Sequence, residues 1–140
     1  MRLLITDPIA VVADLPDVVA IRAEDASGSF GILPHHADFL TVLSTSVVAW
    51  RRADGHAGYC AVRGGVLTVH DGTEVAVATR EAQLGEDLEQ LERAVLARFA
   101  AAAESERNAR VAAARLHLQA IRQIVRALRP DGSKRLELGS

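Results

Sequence analysis

Cysteine is nearly absent from this sequence, since Cys60 is the only one among 140 residues. A single cysteine excludes an internal disulfide, and nothing in the sequence indicates an oxidising environment. It also excludes the zinc sites that are built from clustered cysteines.

The sequence also lacks long apolar runs and a strong net charge. Runs such as Val47 to Trp50 are far shorter than the roughly 20 residues that a membrane-spanning helix needs. The first residues do not have the basic-then-apolar layout of a signal peptide, so we expect the protein to stay in the compartment where it is made. A formal charge of -2 and 49% hydrophobic residues are typical of an ordinary soluble protein rather than of a nucleic-acid binder.

Short apolar runs, rich in Val, Ile, Leu and Thr, make up roughly the first 85 residues, and Gly, Pro and Asp interrupt them at close intervals. Many short strands at regular spacing are typical of a β-sandwich or barrel. The predicted strands are Leu3–Thr6, Ala10–Ala13, Val18–Ala23, Gly31–Leu33, Val47–Arg52, Tyr59–Val62, Val66–Val69 and Val75–Ala78.

Glycine-containing pairs predict the turns between these strands. Asp54-Gly55 is a strong hairpin signal because glycine accepts a positive φ. Gly64-Gly65 and Asp71-Gly72 flank the next strand in the same way, which predicts consecutive antiparallel strands in a meander. Gly64-Gly65 lacks the following helix and the Lys-Ser/Thr of a phosphate-binding loop, so we interpret it as a turn.

The pattern changes to helix after Gly85. Acidic residues, among them Asp87, stand where a helix N-terminus favours negative charge. Apolar residues then recur at three- and four-residue steps in two stripes, which predict two helices that pack together. The first stripe is Leu84, Leu88, Leu91, Val95 and Phe99, and the second is Val111, Ala114, Leu118, Ile121, Val125 and Leu128.

The junction between the stripes, residues 100–114, contains neither Gly nor Pro. Ser105 can serve as an N-cap and Asn108 tolerates turn geometry, but the Ala, Glu and Arg residues around them are good helix formers. The junction therefore fits both an antiparallel helical hairpin and a rod of about 65 Å. We predict an α+β protein, with an N-terminal antiparallel β-sandwich followed by a C-terminal two-helix hairpin. Residues 131–140 are expected to be disordered.

The second predicted helix is basic, with six arginines and no lysine against two acidic residues from Glu104 to Arg129. Four of the arginines gather beside the apolar stripe on a helical wheel. They suit the docking of an acidic partner through charge-assisted hydrogen bonds, or a solvated face that keeps an Ala-rich helix soluble. For an isolated helix we prefer the solvated face. The four are Arg115, Arg122, Arg126 and Arg129.

The segment GSFGILPHHADF sets two adjacent histidines behind Pro34. Adjacent residues in an extended segment point to opposite faces, so His35 and His36 are poorly placed to share a metal ion. The other histidines have no ligand spacing relative to them, so we predict no metal site. We interpret the segment as a shaped recognition loop in which one histidine packs or hydrogen-bonds and the other faces solvent or a partner.

No pattern of residues indicates catalysis. Ser44, Thr45 and Ser46 lack a Gly-x-Ser-x-Gly elbow, and Cys60 lies inside a predicted strand. The acidic residues form no convincing pair. We therefore predict a protein that has no cofactor and catalyses no reaction by itself.

Two motifs and the order of the elements match a known family. The first motif is Gly31 to Pro34, one variable residue and His36-Ala37, followed by Leu40 and Leu43. The second is VRGGVLTV, residues 62–69, after which VAVATREAQLGEDL leads into the helices. With a β domain before two helices, the chain resembles the epsilon subunit of F-type ATP synthase. The resemblance covers nearly the whole chain except the tail.

The resemblance implies three regions and three partners. Residues 1–84 would form a sandwich that binds the gamma subunit and the ring of c subunits. Residues 85–130 would form a helical pair that folds down or extends toward the catalytic head, and residues 131–140 a tail. The protein would be a non-catalytic subunit at the cytoplasmic face of the bacterial inner membrane, without inserting into the bilayer and without binding nucleic acid.

The resemblance also assigns site residues. Ser29, Phe30 and His36 match the positions that face the c ring. The four clustered arginines of the second helix would meet an acidic loop of the beta subunit, since the extended form of the family restrains ATP hydrolysis in this way. Docking then becomes the preferred interpretation of those arginines.

Departures from the family pattern suggest a divergent branch. His35 stands where many members have a small residue, and Ser46 where a glycine is usual. The segment LEQLERA, residues 88–94, comes close to an ATP-binding motif of some bacterial members, but it has one additional residue that shifts Arg93 by about 100° around an α-helix. We therefore predict no nucleotide binding. The alternative function is a free-standing β-sandwich adaptor that recruits another acidic protein through its basic helix.

Overall fold

The computed structural model describes residues 1–129, so the predicted disordered tail lies outside the described residues. Ten strands precede a helical segment in this part of the chain. The strands are β1 (Arg2–Thr6), β2 (Val11–Leu15), β3 (Val18–Asp25), β4 (Gly28–Ile32), β5 (Phe39–Leu43), β6 (Ser46–Arg52), β7 (Ala57–Val62), β8 (Gly65–His70), β9 (Glu74–Ala78) and β10 (Ala82–Gly85). The helical elements are α1 (Leu88–Gln90), a π-helical turn (Leu91–Val95) and α2 (Leu96–Leu128).

All eight predicted strands are present, with shifted ends, but β5 and β10 were not predicted. In β5 the sequence FLTVL has no polar–apolar alternation, because both of its faces carry apolar residues. The short strand β10 forms through its pairing with β7, a tertiary contact that no local pattern indicates. Leu84 therefore belongs to β10, and its placement in the first helical stripe is wrong.

The strands form one continuous sheet, in the order β10-β7-β6-β3-β5-β8-β9-β1-β2, with β4 paired to β3. This sheet curves like a barrel around the core. The prediction that all strands are antiparallel is wrong at one place, because β1 pairs parallel with β9 along their whole length.

Two of the three predicted turns are hairpins. Asp54-Gly55 joins the antiparallel strands β6 and β7, and Asp71-Gly72 joins β8 and β9. The meander is wrong at Gly64-Gly65, because β7 pairs with β6 and β10, whereas β8 pairs with β5 and β9. Both glycines have positive φ, 69° and 127°, so this segment carries the chain between two parts of the sheet.

Buried and more exposed side chains alternate along the strands, and the buried ones form the core. In β1, Leu3 and Ile5 are fully buried, whereas Leu4 between them is only partly buried. Burying each such aliphatic side chain contributes about 1.5–3 kcal/mol. The main core consists of Leu3, Ile5, Val18, Ile21, Ala23, Ile32, Leu43, Val48, Trp50, Cys60, Val62, Leu67, Val69, Val75 and Val77.

A second, smaller cluster attaches the start of the helical segment to the sheet. Leu91 and Phe99 are buried against Ala61 of β7. Asp87 caps the helix, since its carboxylate accepts hydrogen bonds from the backbone N–H groups of Glu89 and Gln90 at 3.0 and 3.3 Å. Such a cap contributes about 1 kcal/mol, and it confirms the predicted role of acidic residues at this terminus.

The predicted two-helix hairpin is wrong. One helical segment of 41 residues runs from Leu88 to Leu128, and α2 passes through Ser105 and Asn108 without a break. The physical reason is that the junction is made of good helix formers, and Glu104 pairs with Arg107 one turn later. Contacts divide the chain into two compact units, of which the first ends at Ala101.

Gly65 offers a test of the segment that carries the chain between two parts of the sheet. Its φ is +127°, and a Cβ there would lie 2.2 Å from the carbonyl oxygen of Ala78. We expect Gly65→Ala to lower the free energy of unfolding by about 3 kcal/mol, because strain and overlap add. In the control Gly55→Ala, φ is +91° but nothing lies within 4 Å, so only about 1 kcal/mol is lost. Equal losses in denaturant unfolding would contradict this account.

Candidate functional site

Backbone hydrogen bonds shape the loop that contains the two adjacent histidines. The N–H of His35 donates to the carbonyl of Gly72 at 2.9 Å, and the N–H of His36 donates to that of Leu33 at 3.2 Å. His36 is half-buried, with Nδ1 2.7 Å from the carbonyl oxygen of Ala37, while His35 is exposed and has a φ of 68°. The prediction that one histidine packs or hydrogen-bonds while the other faces solvent or a partner is confirmed.

Phe39 connects two of the predicted site residues. Its ring makes edge contacts with Phe30 and with His36, each with 5.8 Å between ring centroids. Sequence reasoning missed Phe39, although its position inside the family motif was a signal. Ser29, the third residue of the set, alternates with Phe30 along β4 and points to the other face, where its Oγ accepts a hydrogen bond from Arg22 at 3.3 Å.

The sheet presents an apolar outer face on β5, β8 and β9. Leu40 and Val42 are each 66% exposed, and cross-strand pairing places them beside Thr68 and Val66. No charged residue interrupts this set, and a contiguous exposed apolar patch is typical of a protein–protein contact. We define the outer β5–β8–β9 face as Leu40, Val42, Val66, Thr68, Ala76 and Ala78.

Within residues 102–129, α2 carries the four predicted arginines on its surface. Arg122, Arg126 and Arg129 line one shallow groove together with Ile121 and Val125, whereas Arg115 lies outside it. None of the four has a carboxylate within salt-bridge distance in the described part of the chain. The adjacent apolar stripe is exposed as well, as at Leu128, which is 79% exposed.

The segment LEQLERA, whose sequence is similar to the nucleotide-binding motif, overlaps the π-helical turn, Leu91–Val95. The predicted rotation of Arg93 assumed an uninterrupted α-helix, whereas a π turn takes up an additional residue. Arg93 is exposed, and its Nη2 lies 2.8 Å from Oε1 of Glu89. The absence of nucleotide binding stays a prediction, without the rotation as its support.

One group of residues within 1–129 has metal-ligating atoms near one another, namely Asp38, His70 and Asp71. His70 Nε2 lies 3.2 Å from a carboxylate oxygen of Asp71, and Nδ1 lies 3.9 Å from one of Asp38. All three are exposed, and Asp38 also accepts a hydrogen bond from the N–H of Asp71 at 2.9 Å. The sequence spacing of His70 did not indicate this neighbourhood, and the absence of a metal stays a prediction.

The lone cysteine is not poised for chemistry. Cys60 is fully buried, and this burial raises the pKa of its thiol to about 11. The thiol is therefore protonated at neutral pH, and a protonated thiol is a poor nucleophile.

No helix among residues 1–129 has both the length and the apolar character that crossing a bilayer requires.

Comparison with known proteins identifies the family. The family described as ATP synthase, Delta/Epsilon chain, beta-sandwich domain, matches residues 1–85. A protein of Paraburkholderia xenovorans named ATP synthase epsilon chain 2 is 48% identical over 131 residues, which cover 94% of each chain. The chain belongs to the ATP synthase epsilon chain family. It is therefore a non-catalytic subunit, and the family resemblance seen in the sequence is confirmed.

A second relative has the same family name, and a solved structure has a similar fold. The ATP synthase epsilon chain 2 of Cereibacter sphaeroides is 46% identical over 128 residues, covering 91% of this chain and 88% of that protein. Among solved structures, a chain of the Euglena gracilis mitochondrial ATP synthase is similar with a TM-score of 0.57. It has 24% sequence identity over 66% of this chain and 59% of its own length, a similarity that shows the fold.

Proposed function

We propose that this chain is a central-stalk subunit that couples the rotor of an ATP synthase to its catalytic head. The observation that carries the proposal is the uncharged outer β5–β8–β9 face on a sheet held rigid by its core. Support also comes from a solved Tetrahymena thermophila structure of a mitochondrial ATP synthase central stalk and c-ring, in which a chain has the same fold with a TM-score of 0.52.

The outer β5–β8–β9 face is the docking surface for the gamma subunit in this proposal. Leu40 and Val42 project from one strand as exposed aliphatic anchors, and Val66 beside Val42 is 39% exposed. Apolar side chains that fill pockets of a partner contribute most of the affinity of an interface. Because buried Leu43 adjoins Val42 and buried Leu67 adjoins Val66 in the same strands, the core fixes the positions of these side chains before gamma binds.

The c-subunit ring contacts the loop of the adjacent histidines in this proposal. Phe39 contacts both Phe30 and His36, so the three rings form one aromatic surface. Leu33, which precedes the two histidines in the sequence, is exposed. Ser29 contributes from the opposite face of β4. Contact with the ring would keep the protein at the cytoplasmic face of the bacterial inner membrane.

The basic end of α2 is the regulatory element in this proposal. Arginines without carboxylate partners and an exposed apolar stripe both call for a partner surface, so docking is favoured over a merely solvated face. An acidic loop of the beta subunit has the required charge. Contact of Arg115, Arg122, Arg126 and Arg129 with that loop would restrain ATP hydrolysis.

The names of the relatives refine the proposal. The two relatives that align over about nine tenths of this chain are both named epsilon chain 2. The Sulfurovum protein named epsilon chain is 34% identical over 71 residues, or 51% of this chain. We therefore assign this chain to the same type of ATP synthase as the two longer matches.

Binding to gamma tests the proposal. Co-expression with the gamma subunit of the same organism should yield a one-to-one complex that survives gel filtration at micromolar concentration. An unbound chain under these conditions would contradict the proposal, and capture of another acidic protein through α2 would favour the adaptor instead.

A further inference from the structure

Two arginines lie side by side on a different part of the sheet, the outward side of β3 and β6. Arg22 stands opposite Ala49, and Arg51 stands opposite Ala20, so the two arginines are diagonal neighbours on one face. Diagonal neighbours on adjacent strands are roughly 7–8 Å apart. Two positive charges are therefore held close together by the register of the sheet.

Neither arginine has a carboxylate within 4.0 Å among the described residues. Arg22 donates only to Ser29 Oγ, and Arg51 has no side-chain hydrogen bond in this part of the chain. Other arginines of the β domain are paired, as Arg52 is with Asp17 at 2.8 Å. Like charges placed next to each other cost stability. Glu24 lies on the same face of β3, two residues after Arg22, but it forms no ion pair with either arginine, so both guanidinium groups can donate hydrogen bonds to an anionic ligand.

The arginines flank an open groove of about 490 Å³. Small residues, such as Gly31 and Ala49, form its floor and leave room above the backbone. Apolar walls are supplied by Leu33, which is 62% exposed, and by half-buried Tyr59. Sites for small molecules enclose most of their ligand, whereas this groove is open along its length and fits an extended peptide better.

We propose that this groove binds an extended acidic segment of a neighbouring ATP synthase subunit. Side chains two residues apart in an extended chain are about 6.6–6.8 Å apart, close to the separation of Arg22 and Arg51. The segment therefore has two carboxylates separated by one residue, each accepting hydrogen bonds from one guanidinium. An apolar side chain of the segment packs against Leu33 and Tyr59.

The inference rests on the proposed function, because the partner belongs to the assembly. It adds a fourth protein contact to those of the outer β5–β8–β9 face, of the loop that contains the adjacent histidines and of α2. Its electrostatic character also differs from that of the uncharged gamma face, so the two contacts respond differently to salt.

A photoreactive benzophenone side chain at Ala57 tests the inference in the purified, complete ATP synthase. Ala57 is exposed and lies opposite Arg51 across β6 and β7. We expect a cross-linked peptide from another subunit that contains two acidic residues with one residue between them. Arg22→Gln with Arg51→Gln should reduce the cross-link about 10- to 100-fold, and lysine at both positions should restore part of it.

Matched controls distinguish a failure of the groove inference from a failure of the proposed function. Arg107→Gln with Arg110→Gln removes the same charge from exposed positions of α2 and should leave the cross-link unchanged. A second photoreactive side chain at Leu40 reports on gamma. If Leu40 cross-links to gamma while Ala57 reacts with nothing, with lipid, with its own chain or with a non-acidic peptide, the groove inference alone is overturned. If the chain is not recovered with the complex at all, both the proposed function and the groove inference fail.

Discussion

Replacing Leu40 and Val42 together by aspartate is expected to weaken binding to the gamma subunit by a factor of at least about 1,000. Both side chains are 66% exposed in the isolated chain, so the substitution places no charge in the core. In the complex, however, two carboxylates would be buried in an apolar interface without partners. Each costs about 2 kcal/mol or more in such a position, and every 1.4 kcal/mol is tenfold in affinity.

The measurement is a calorimetric titration of purified gamma with each variant. Leu116→Asp with Ile124→Asp is the matched control, because these side chains are 66% and 59% exposed and lie on α2, outside the outer β5–β8–β9 face. The control should bind gamma as the unchanged chain does. Equal affinity of the Leu40 and Val42 variant would show that gamma docks elsewhere. Thermal unfolding of both variants verifies that the β domain is intact.

Replacing the four clustered arginines of α2 by alanine is expected to raise ATP hydrolysis by the assembled enzyme about tenfold. The physical reason is a shift in population, because a loss of about 1.4 kcal/mol from the docked state changes its equilibrium tenfold. In the proposed docked state, charge-assisted hydrogen bonds from Arg115, Arg122, Arg126 and Arg129 would provide contact of at least this size. Helix propensity is retained, since alanine is the best helix former.

The hydrolysis rate of reconstituted ATP synthase is the readout. Arg107→Ala with Arg110→Ala provides the control, because both residues belong to the same helix but lie outside the cluster. It should leave the rate unchanged. If the fourfold variant also hydrolyses ATP at the original rate, the arginines do not restrain the enzyme, although the chain remains a member of its family.

The β domain was largely predictable, because buried and exposed residues alternate along most of its strands. Leu67 and Val69 illustrate this, since both are buried and the polar Thr68 between them is only partly buried. Strand β5 was missed because Leu40 and Val42 are apolar although they face outward. An outward apolar pair removes the alternation by which a strand is recognised.

The course of the helical segment was less predictable than its existence. Apolar periodicity and the acidic cap at Asp87 locate the start of the helix, but residues 100–114 are compatible with a bend or with continuous helix. The structure has continuous helix through Ser105. Good helix formers and the pair of Glu104 with Arg107 favour the continuous form, but Ser105 and Asn108 offered a cap and a turn, so the sequence was compatible with both.

The candidate site was predictable residue by residue but not as an arrangement. Phe30 and His36 were identified from the motif, but their connection through Phe39 follows from how β5 returns beside the loop. Arg22 and Arg51 lie 29 positions apart in the sequence, and only the register of β3 with β6 brings them together. Pairing between distant strands cannot be read from local patterns.

A structure of this chain bound to the gamma subunit tests the central claim most directly. The account predicts that gamma covers Leu40, Val42 and Val66 and leaves the surface of Phe30, Phe39 and His36 open for the c ring. A complex in which the outer β5–β8–β9 face stays exposed to solvent, with gamma held elsewhere on the chain, would contradict it.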